Sequence, residues 1–388
     1  MLPVVFLLLV LAVRAAEEER EDVVIDTDGV VDDVKALSLA LQHPRLRVVA
    51  ITTVAGSTTV EQATANVART LRANRIRHYI PVVKGAEHAL IGNLNTTADG
   101  VLFFGDDGLS NAPLAAPKVA RLHCHRRRQL ACFQALPADS TVHVRGVEAA
   151  EALVELFSRR RGQLTLIALG PVRSFIQSIA LIHWLKLTNL ALALKLEPAF
   201  AEWPKKLVLT GGNFYGMGNI RTASTAEFNF NADPEAAEIV LQGMRCPITI
   251  VAWETTFFFQ DLRQEKHDFK QHISLDLPLA RFFRAASRRP RQFMARFGLP
   301  YRYCDEITVA AAAEPAVIAA SRNVSAAVEL HGAMTRGQLV IGWLEEYLGA
   351  SAERPMRRVQ LVMDYDFAHL DRLMQDAIRR VPDADDFV

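Results

Sequence analysis

Short apolar runs of five to eight residues recur along the chain, with helical stretches between them. The clearest are VVIDT (23–27), RVVAITTV (47–54), YIPVV (79–83), LTLIAL (164–169), KKLVLT (205–210) and PITIVA (247–252). Strands buried on both faces form continuous apolar runs, and strands that alternate with helices indicate a mostly parallel sheet covered on both sides. The pattern predicts an α/β fold with an open, mostly parallel, mixed sheet of the Rossmann-like kind.

Composition is typical of a globular protein and argues against nucleic-acid binding. Of the 388 residues, 50% are hydrophobic and 22% are charged, and the formal net charge is +1. The basic clusters at 121–128 and 282–292 are local and are interpreted as solvated surface. Neither an internal repeat nor a linker is evident, so a single domain is expected over residues 22–388.

The N-terminus has the pattern of a secretory signal. Its apolar stretch runs from Leu2 to Val13 and is followed by Ala15 and Ala16. That stretch is shorter than the roughly 20 apolar residues that span a bilayer. Residues 1–16 are therefore predicted to be a signal peptide, and the protein is expected to be secreted, with no membrane anchor. Sequons at Asn95 and Asn323 are compatible with export, and the four cysteines allow at most one or two disulfides.

An acidic turn follows the first apolar run, in VVIDTDGVVDD (23–33). It contains Asp26, Asp28, Asp32 and Asp33, with Gly29 available for a tight turn. Carboxylates crowded into one turn repel one another unless a positive charge compensates them. Oxygen ligands favour Ca²⁺ or Mg²⁺ over Zn²⁺, and a helix N-terminus beginning near Asp32 also favours negative charge. The turn is therefore predicted to bind a divalent cation.

Two enzyme families fit this turn. It resembles the opening of haloacid-dehalogenase-type phosphatases, in which Asp26 would be the nucleophile and Asp28 the general acid. It also resembles the D-x-D-x-x-x-D-D opening of nucleoside hydrolases. The second family is favoured by TAEFNFNADPEAAEIVL (225–241), which is similar to its sugar-binding segment, and by further matches in the family's order. These matches are TTVAGSTTVEQATANVART (52–70), GDDGL (105–109), ALGP with TNLALALKLEP, GGNFYGMGN (211–219) and VELHGAMTRGQ (328–338).

The resemblance extends from about residue 22 to beyond residue 340 and implies the nucleoside hydrolase fold and activity. Such enzymes hydrolyse the N-glycosidic bond of ribonucleosides to free base and ribose, and they are oligomeric. A homo-oligomer, either a dimer or a tetramer, is therefore expected, with a nucleoside as the small-molecule substrate. A catalytically silent secreted nucleoside-binding protein is the alternative from outside the enzymes.

The resemblance also implies roles for individual residues. Ca²⁺ would be held by Asp28, Asp33, the backbone carbonyl of Leu169, and Asp305. Asp32 would be the general base that activates the attacking water, and Asp26 would support the turn. The residues implied to contact the substrate are Asn219, Glu227, Asn229, Ser57 and Cys304.

Two of those positions depart from the family pattern. Cys304 stands where many relatives have a His that can protonate the leaving base, so activation of the base must come from elsewhere. Ser57 replaces an Asn that usually contacts a ribose hydroxyl. The preference between purine and pyrimidine bases is left open.

Residues 172–186 interrupt an otherwise continuous match. Deleting Val172 to Lys186 gives ALGPLTNLALALKLEP, which fits the family segment closely. We interpret this apolar segment as an insertion that arises from a retained in-frame intron.

Overall fold

The structure is a computed structural model that describes residues 20–91, 103–112, 149–169, 187–220, 225–348 and 356–381. The predicted signal peptide (1–16), the 172–186 insertion and the sequon at Asn95 lie outside the described residues. Within the described ranges, no helix combines the length and apolar character that a membrane span requires.

In the described part of the chain, nine strands form one sheet. They are β1 (Glu21–Thr27), β2 (Leu46–Thr53), β3 (Val82–Lys84), β4 (Thr165–Ala168), β5 (Lys206–Thr210), β6 (Ile248–Val251), β7 (Ile318–Val328), β8 (Leu339–Ile341) and β9 (Arg357–Tyr365). Their order across the sheet is β3-β2-β1-β4-β5-β6-β9-β7-β8. Strands β1 to β6 and β9 pair in parallel, whereas β7 is antiparallel to both of its neighbours. The predicted α/β fold with a mixed, mostly parallel open sheet is confirmed.

Helices connect the strands and cover the sheet. They are α1 (Val31–Gln42), α2 (Val60–Ala73), α3 (Ala149–Arg159), α4 (Thr188–Leu196), α5 (Phe228–Ala232), α6 (Pro234–Gly243), α7 (Phe258–Leu262), α8 (Gln271–Ser274), α9 (Pro278–Ala286), α10 (Arg288–Ala295), α11 (Asp305–Ala313), α12 (Trp343–Leu348) and α13 (Phe367–Arg379). Short 3₁₀ turns lie at Pro198–Glu202, Trp253–Thr256 and Pro315–Val317.

The apolar core lies on both faces of the sheet. In β1, Val23 and Ile25 belong to a cluster with α1, α9, α11 and α13. Val24, which points to the other face, belongs to a second cluster with α3, α4 and α6. Successive side chains of a strand alternate between faces, so the unbroken apolar run of β1 supplies both layers.

The order of the strands indicates where a ligand site should lie. The chain moves outward from β1 through β2 to β3 and then returns to β4 on the other side of β1. Ligands of open α/β sheets bind beyond the carboxyl ends of the strands at such a switch point. Here Asp26 of β1 pairs with Ala168 of β4, and the Leu169 backbone N–H donates to the Asp26 carbonyl at 2.9 Å. The acidic turn and Leu169 therefore leave the sheet side by side.

Candidate active site

The acidic turn joins the end of β1 to the start of α1. Gly29 has φ +65°, and a Cβ atom there would lie 2.7 Å from the backbone oxygen of Ala63. A side chain would be strained by the left-handed backbone and would also collide with α2. Glycine at this position lets the chain turn tightly enough to place Asp32 and Asp33 in the first turn of α1.

Three carboxylates meet where two helices begin. Asp32 and Asp33 come from the first turn of α1, and Asp305 is the first residue of α11. One oxygen of each lies within 4.8 Å of the others, and none of the three residues is more than 2% exposed. Buried like charges this close raise one another's pKa unless a cation compensates them. A set of three hard oxygen donors suits a divalent cation of the Ca²⁺ or Mg²⁺ type, so these residues fit the expected metal.

Hydrogen bonds fix the acids of the turn. Asp33 accepts from the Thr27 hydroxyl at 2.5 Å and from the Asp28 backbone N–H at 3.2 Å. Asp28 in turn accepts from the Ser57 backbone N–H at 2.7 Å. Asp28 and Leu169 therefore lie beside the group of three carboxylates, and their roles as metal ligands remain predictions.

Asp26 faces neutral donors at the base of the turn. Its carboxylate accepts from the Thr52 hydroxyl at 2.5 Å and from the Asn189 side-chain amide at 2.8 Å. The other amide atom of Asn189 accepts from the Ala86 backbone N–H at 2.9 Å. Asp26 thus connects β1 to β2 and α4, which agrees with a supporting residue.

A buried ion pair lies directly behind the carboxylates. Lys35 of α1 forms it with Glu306 of α11, and the two side chains are 3% and 0% exposed. Glu306 also accepts from the Cys304 backbone N–H at 2.9 Å. The pair connects the two helix starts that supply Asp32, Asp33 and Asp305, and so it positions the carboxylates against one another.

Cys304 lies among acidic groups and is 3% exposed. Burial raises the pKa of its thiol well above the usual range, and the charges of Asp305, Asp32, Glu306 and Glu227 raise it further. The thiol is therefore neutral at physiological pH and is only a weak hydrogen-bond donor. Cys304 is thus within electrostatic range of both the carboxylate group and Glu227.

Glu227 is oriented by backbone donors. Its carboxylate accepts from the N–H groups of Gly212 at 2.7 Å, Asn229 at 2.7 Å and Phe230 at 3.2 Å. It therefore caps the N-terminus of α5 and joins that helix to the loop after β5. Asn229 lies in this short helix and donates to the Thr210 carbonyl at 3.1 Å.

Three buried polar side chains in this region have spare hydrogen-bonding capacity. They are Ser57, Asn219 and Asn229, which are 4%, 7% and 4% exposed. Within the described part of the chain, no hydrogen bond reaches the Ser57 hydroxyl, either amide atom of Asn219 or the amide oxygen of Asn229. Buried polar atoms are almost always satisfied in folded proteins. These atoms are therefore available to a polyhydroxylated ligand.

Several positioning residues were not singled out from the sequence. Lys35 lies within an apolar helical pattern, and Asn189 lies in a matched segment without an assigned role. Glu254, which is 0% exposed, accepts from the backbone N–H groups of Phe214, Tyr215 and Met217 and so shapes the loop that leads to Asn219. A charge inside an apolar helix was the one sequence signal that could have identified Lys35.

Comparisons with known proteins agree with this geometry. The family model described as "Inosine-uridine preferring nucleoside hydrolase" matches residues 23–371. Probable uridine nucleosidase 1 of Oryza sativa subsp. japonica is 31% identical over 270 residues, which cover 68% of this chain and 69% of that protein. The inosine-uridine preferring nucleoside hydrolase of Leishmania major is 26% identical over 93% of this chain and 98% of its own length.

A solved structure gives the same result. The protein titled "Inosine-Guanosine Nucleoside Hydrolase (IG-NH)" superposes with a TM-score of 0.68 and 25% identity, over 94% of this chain and all of the other. The phosphatase interpretation of the acidic turn is thereby set aside. The chain belongs to the inosine-uridine preferring nucleoside hydrolase family, and it is an N-glycosyl hydrolase of nucleosides.

Proposed function

We propose that the protein hydrolyses ribonucleosides to free base and ribose, with Asp32 as the general base and Ca²⁺ as the cation. The observation that carries this proposal is the group formed by Asp32, Asp33 and Asp305, whose buried oxygens lie within 4.8 Å of one another. Asp28 and the carbonyl of Leu169 are proposed to complete the oxygen ligands. A bound divalent cation would lower the pKa of a water molecule at the site.

Asp32 performs the proton transfer. It accepts a proton from the water whose oxygen bonds to C1′ of the ribose, while the C1′–N bond breaks and its electron pair goes to the base. Positive charge develops on the sugar in the transition state. The buried carboxylates of the site stabilise that charge, and they do so strongly because water is excluded from them.

The ribose is proposed to bind the spare polar atoms. The amide of Asn219, the amide oxygen of Asn229 and the hydroxyl of Ser57 supply both donors and acceptors to the sugar hydroxyls. Glu227, which is held by three backbone N–H groups, adds a fixed acceptor. Cys304 lies against the substrate without activating the leaving base, since its thiol is a weak donor.

The names of the relatives suggest the substrate range and the setting. Relatives named for uridine and inosine support ribonucleosides with either kind of base as substrates. The apolar N-terminus supports secretion, and the family resemblance supports a homo-oligomer. Residues 172–186 are proposed to be absent from the correctly spliced protein, and sequencing the transcript across codons 168–190 tests this.

A nucleoside panel tests the proposed function. Inosine, uridine and a phosphomonoester are incubated with the protein, with and without a chelator, and free base, ribose and phosphate are measured. Base and ribose without phosphate, lost on chelation and restored by Ca²⁺, are the expected result. Undetectable hydrolysis by the correctly spliced protein would instead favour a nucleoside-binding role.

A further inference from the structure

A cavity with several aromatic lining residues lies next to the segments that carry Asn219 and Cys304. Its volume is about 380 Å³, and its walls include Phe103, Met217, Trp253, Tyr301 and Tyr303. Met217 lies two residues before Asn219, and Tyr303 immediately precedes Cys304. The dimensions and aromatic lining suit a flat heterocycle attached to the ribose.

The Tyr301 hydroxyl has no hydrogen-bond partner among the residues that the structure describes, and it is buried. Burial raises the pKa of this phenol well above the usual range, and the charges of Asp32, Glu306, Cys304 and Asp305 raise it further. The group is therefore a protonated donor, and a buried donor without a partner is unfavourable.

The ring of Tyr301 is held in place from two sides. The Lys35 ammonium lies 5.0 Å from the ring centroid, a distance at which a cation attracts an aromatic face. Phe103 packs against the ring edge-on at 6.2 Å between centroids. Because Glu306 holds Lys35 in turn, the position of the hydroxyl is set by the same ion pair that joins helices α1 and α11.

Tyr303 and Cys304, which follow closely in sequence, do not offer an equivalent donor. The Tyr303 hydroxyl donates to Asp371 and contacts His272 Nδ1 at 2.7 Å, so its proton is already engaged. The Cys304 thiol is a weak donor. Trp253 lines the same cavity, and its indole N–H also lacks a partner within the described part of the chain.

We propose that Tyr301 is the hydrogen-bond donor to the departing base, with the Trp253 indole N–H as a second donor. This inference rests on the proposed function. As the C1′–N bond breaks, its electron pair moves onto the base, and the Tyr301 O–H donates to a carbonyl oxygen or ring nitrogen that gains negative charge. Tyrosine keeps its proton, and solvent supplies the proton that completes the free base.

The test compares two leaving groups in the full-length protein. Uridine and inosine need stabilisation of the departing base, whereas 4-nitrophenyl β-D-ribofuranoside releases a nitrophenolate that needs none. Tyr301→Phe keeps the ring and its contact with Lys35. We expect it to lower kcat/KM for the nucleosides about 100-fold, as removal of a transition-state donor does. We expect kcat/KM for the nitrophenyl riboside to change less than about threefold.

Tyr303→Phe is the matched control, because it removes a hydroxyl two residues away that is engaged elsewhere. It is expected to change both kinds of substrate alike. Trp253→Phe provides a second measurement, with a smaller loss of about tenfold confined to the nucleosides. Equal losses on both substrates in Tyr301→Phe and Trp253→Phe would overturn the inference while leaving the proposed function intact. An unmutated protein inactive on all three substrates would overturn both.

Discussion

The two ends of strand β1 both carry acids, but the acids are used differently. At the start of the strand, Glu21 and Asp22 meet basic side chains from β2, β5 and the segment that follows α3. At its other end, Asp26 leads into the turn whose carboxylates gather with Asp305. The first group is a set of ion pairs, and the second is the proposed cation site.

The ion-paired end is partly open to solvent. Asp22 contacts both Arg47 and Arg160, whose side chains are 53% and 31% exposed. Burial raises the pKa of Asp22, but the hydrogen bonds and charges of the two arginines outweigh it and lower the pKa below its usual value. Glu21 shows the same balance, with Thr165, Lys206 and Lys205 lowering its pKa. These acids stabilise the fold without any ligand.

The site end is enclosed, and its acids accept from hydroxyl and backbone N–H groups, as Asp33 does from Thr27. Such donors orient a carboxylate without neutralising it. Along this one strand, the acids with arginine or lysine partners stabilise the fold, whereas the acids that gather with Asp305 are proposed to hold a cation. Four comparisons test this contrast.

The largest difference is expected between Asp32→Asn and Asp22→Asn. Loss of the general base in Asp32→Asn should lower kcat for uridine at least about 10³-fold, with the fold retained. Asp22→Asn, at the other end of β1, should leave kcat within about twofold. Steady-state kinetics of both variants, with circular dichroism to check folding, measure the contrast. Comparable losses of activity would show that the two ends do not differ in function.

The second-largest difference between the two ends of β1 is expected when the cation is removed. A chelator should reduce turnover about 100-fold or more, and Ca²⁺ should raise Tm, because a ligand that binds only the folded state stabilises it. Asp22→Asn should show the same Ca²⁺-dependent rise in Tm, whereas Asp305→Asn should lose most of it. A rise that persists in Asp305→Asn would place the cation elsewhere.

Stability should respond most to the ion-paired end. Asp22→Asn is expected to lower the free energy of unfolding at pH 7 by about 1 kcal/mol, since its partners are partly exposed. Because the pKa of Asp22 is lowered in the folded state, its contribution is present above about pH 4 and is lost as the pH falls through the folded pKa. Urea unfolding between pH 7 and pH 3 should therefore show a flatter dependence in the variant than in the parent. An equally steep dependence would contradict the ion-pair assignment.

The smallest effects are expected from removing one hydroxyl at each end. Ser57→Ala removes a hydroxyl at the site end that has no partner within the described residues, so KM should rise about three- to tenfold with little change in stability. Thr165→Val removes the hydroxyl that donates to Glu21, so Tm should fall while KM is unchanged. Kinetics and thermal unfolding of both variants measure these opposite effects on KM and Tm. A fall in Tm for Ser57→Ala would show that its hydroxyl stabilises the fold.

Local pattern was enough to predict the mostly parallel sheet and the acidic turn. Apolar runs and helical spacing are properties of short segments, and they were confirmed from β1 through β6. Gly29 was also expected to allow a tight turn, and its φ of +65° confirms it.

Contacts between segments that are far apart in sequence could not be predicted from local pattern. The pairing of Lys35 with Glu306 joins residues that are far apart in sequence, and neither side chain alone indicates a buried partner. Asn229 lies in helix α5, whose start is capped by Glu227, and Glu227 also accepts from the Gly212 backbone N–H of the loop after β5. The orientation of Tyr301 depends on Lys35 and Phe103 together, so it follows from packing that no single motif encodes.

The ion pair behind the carboxylates also limits how this protein can diverge. Losing one member of a buried pair costs about 3–5 kcal/mol, whereas replacing both members by apolar side chains is often neutral. A lineage that carries Lys35 and Glu306 therefore passes to an apolar version only through two linked substitutions, and single changes at either position are selected against. Among descendants of this chain, positions 35 and 306 should be inherited as a unit.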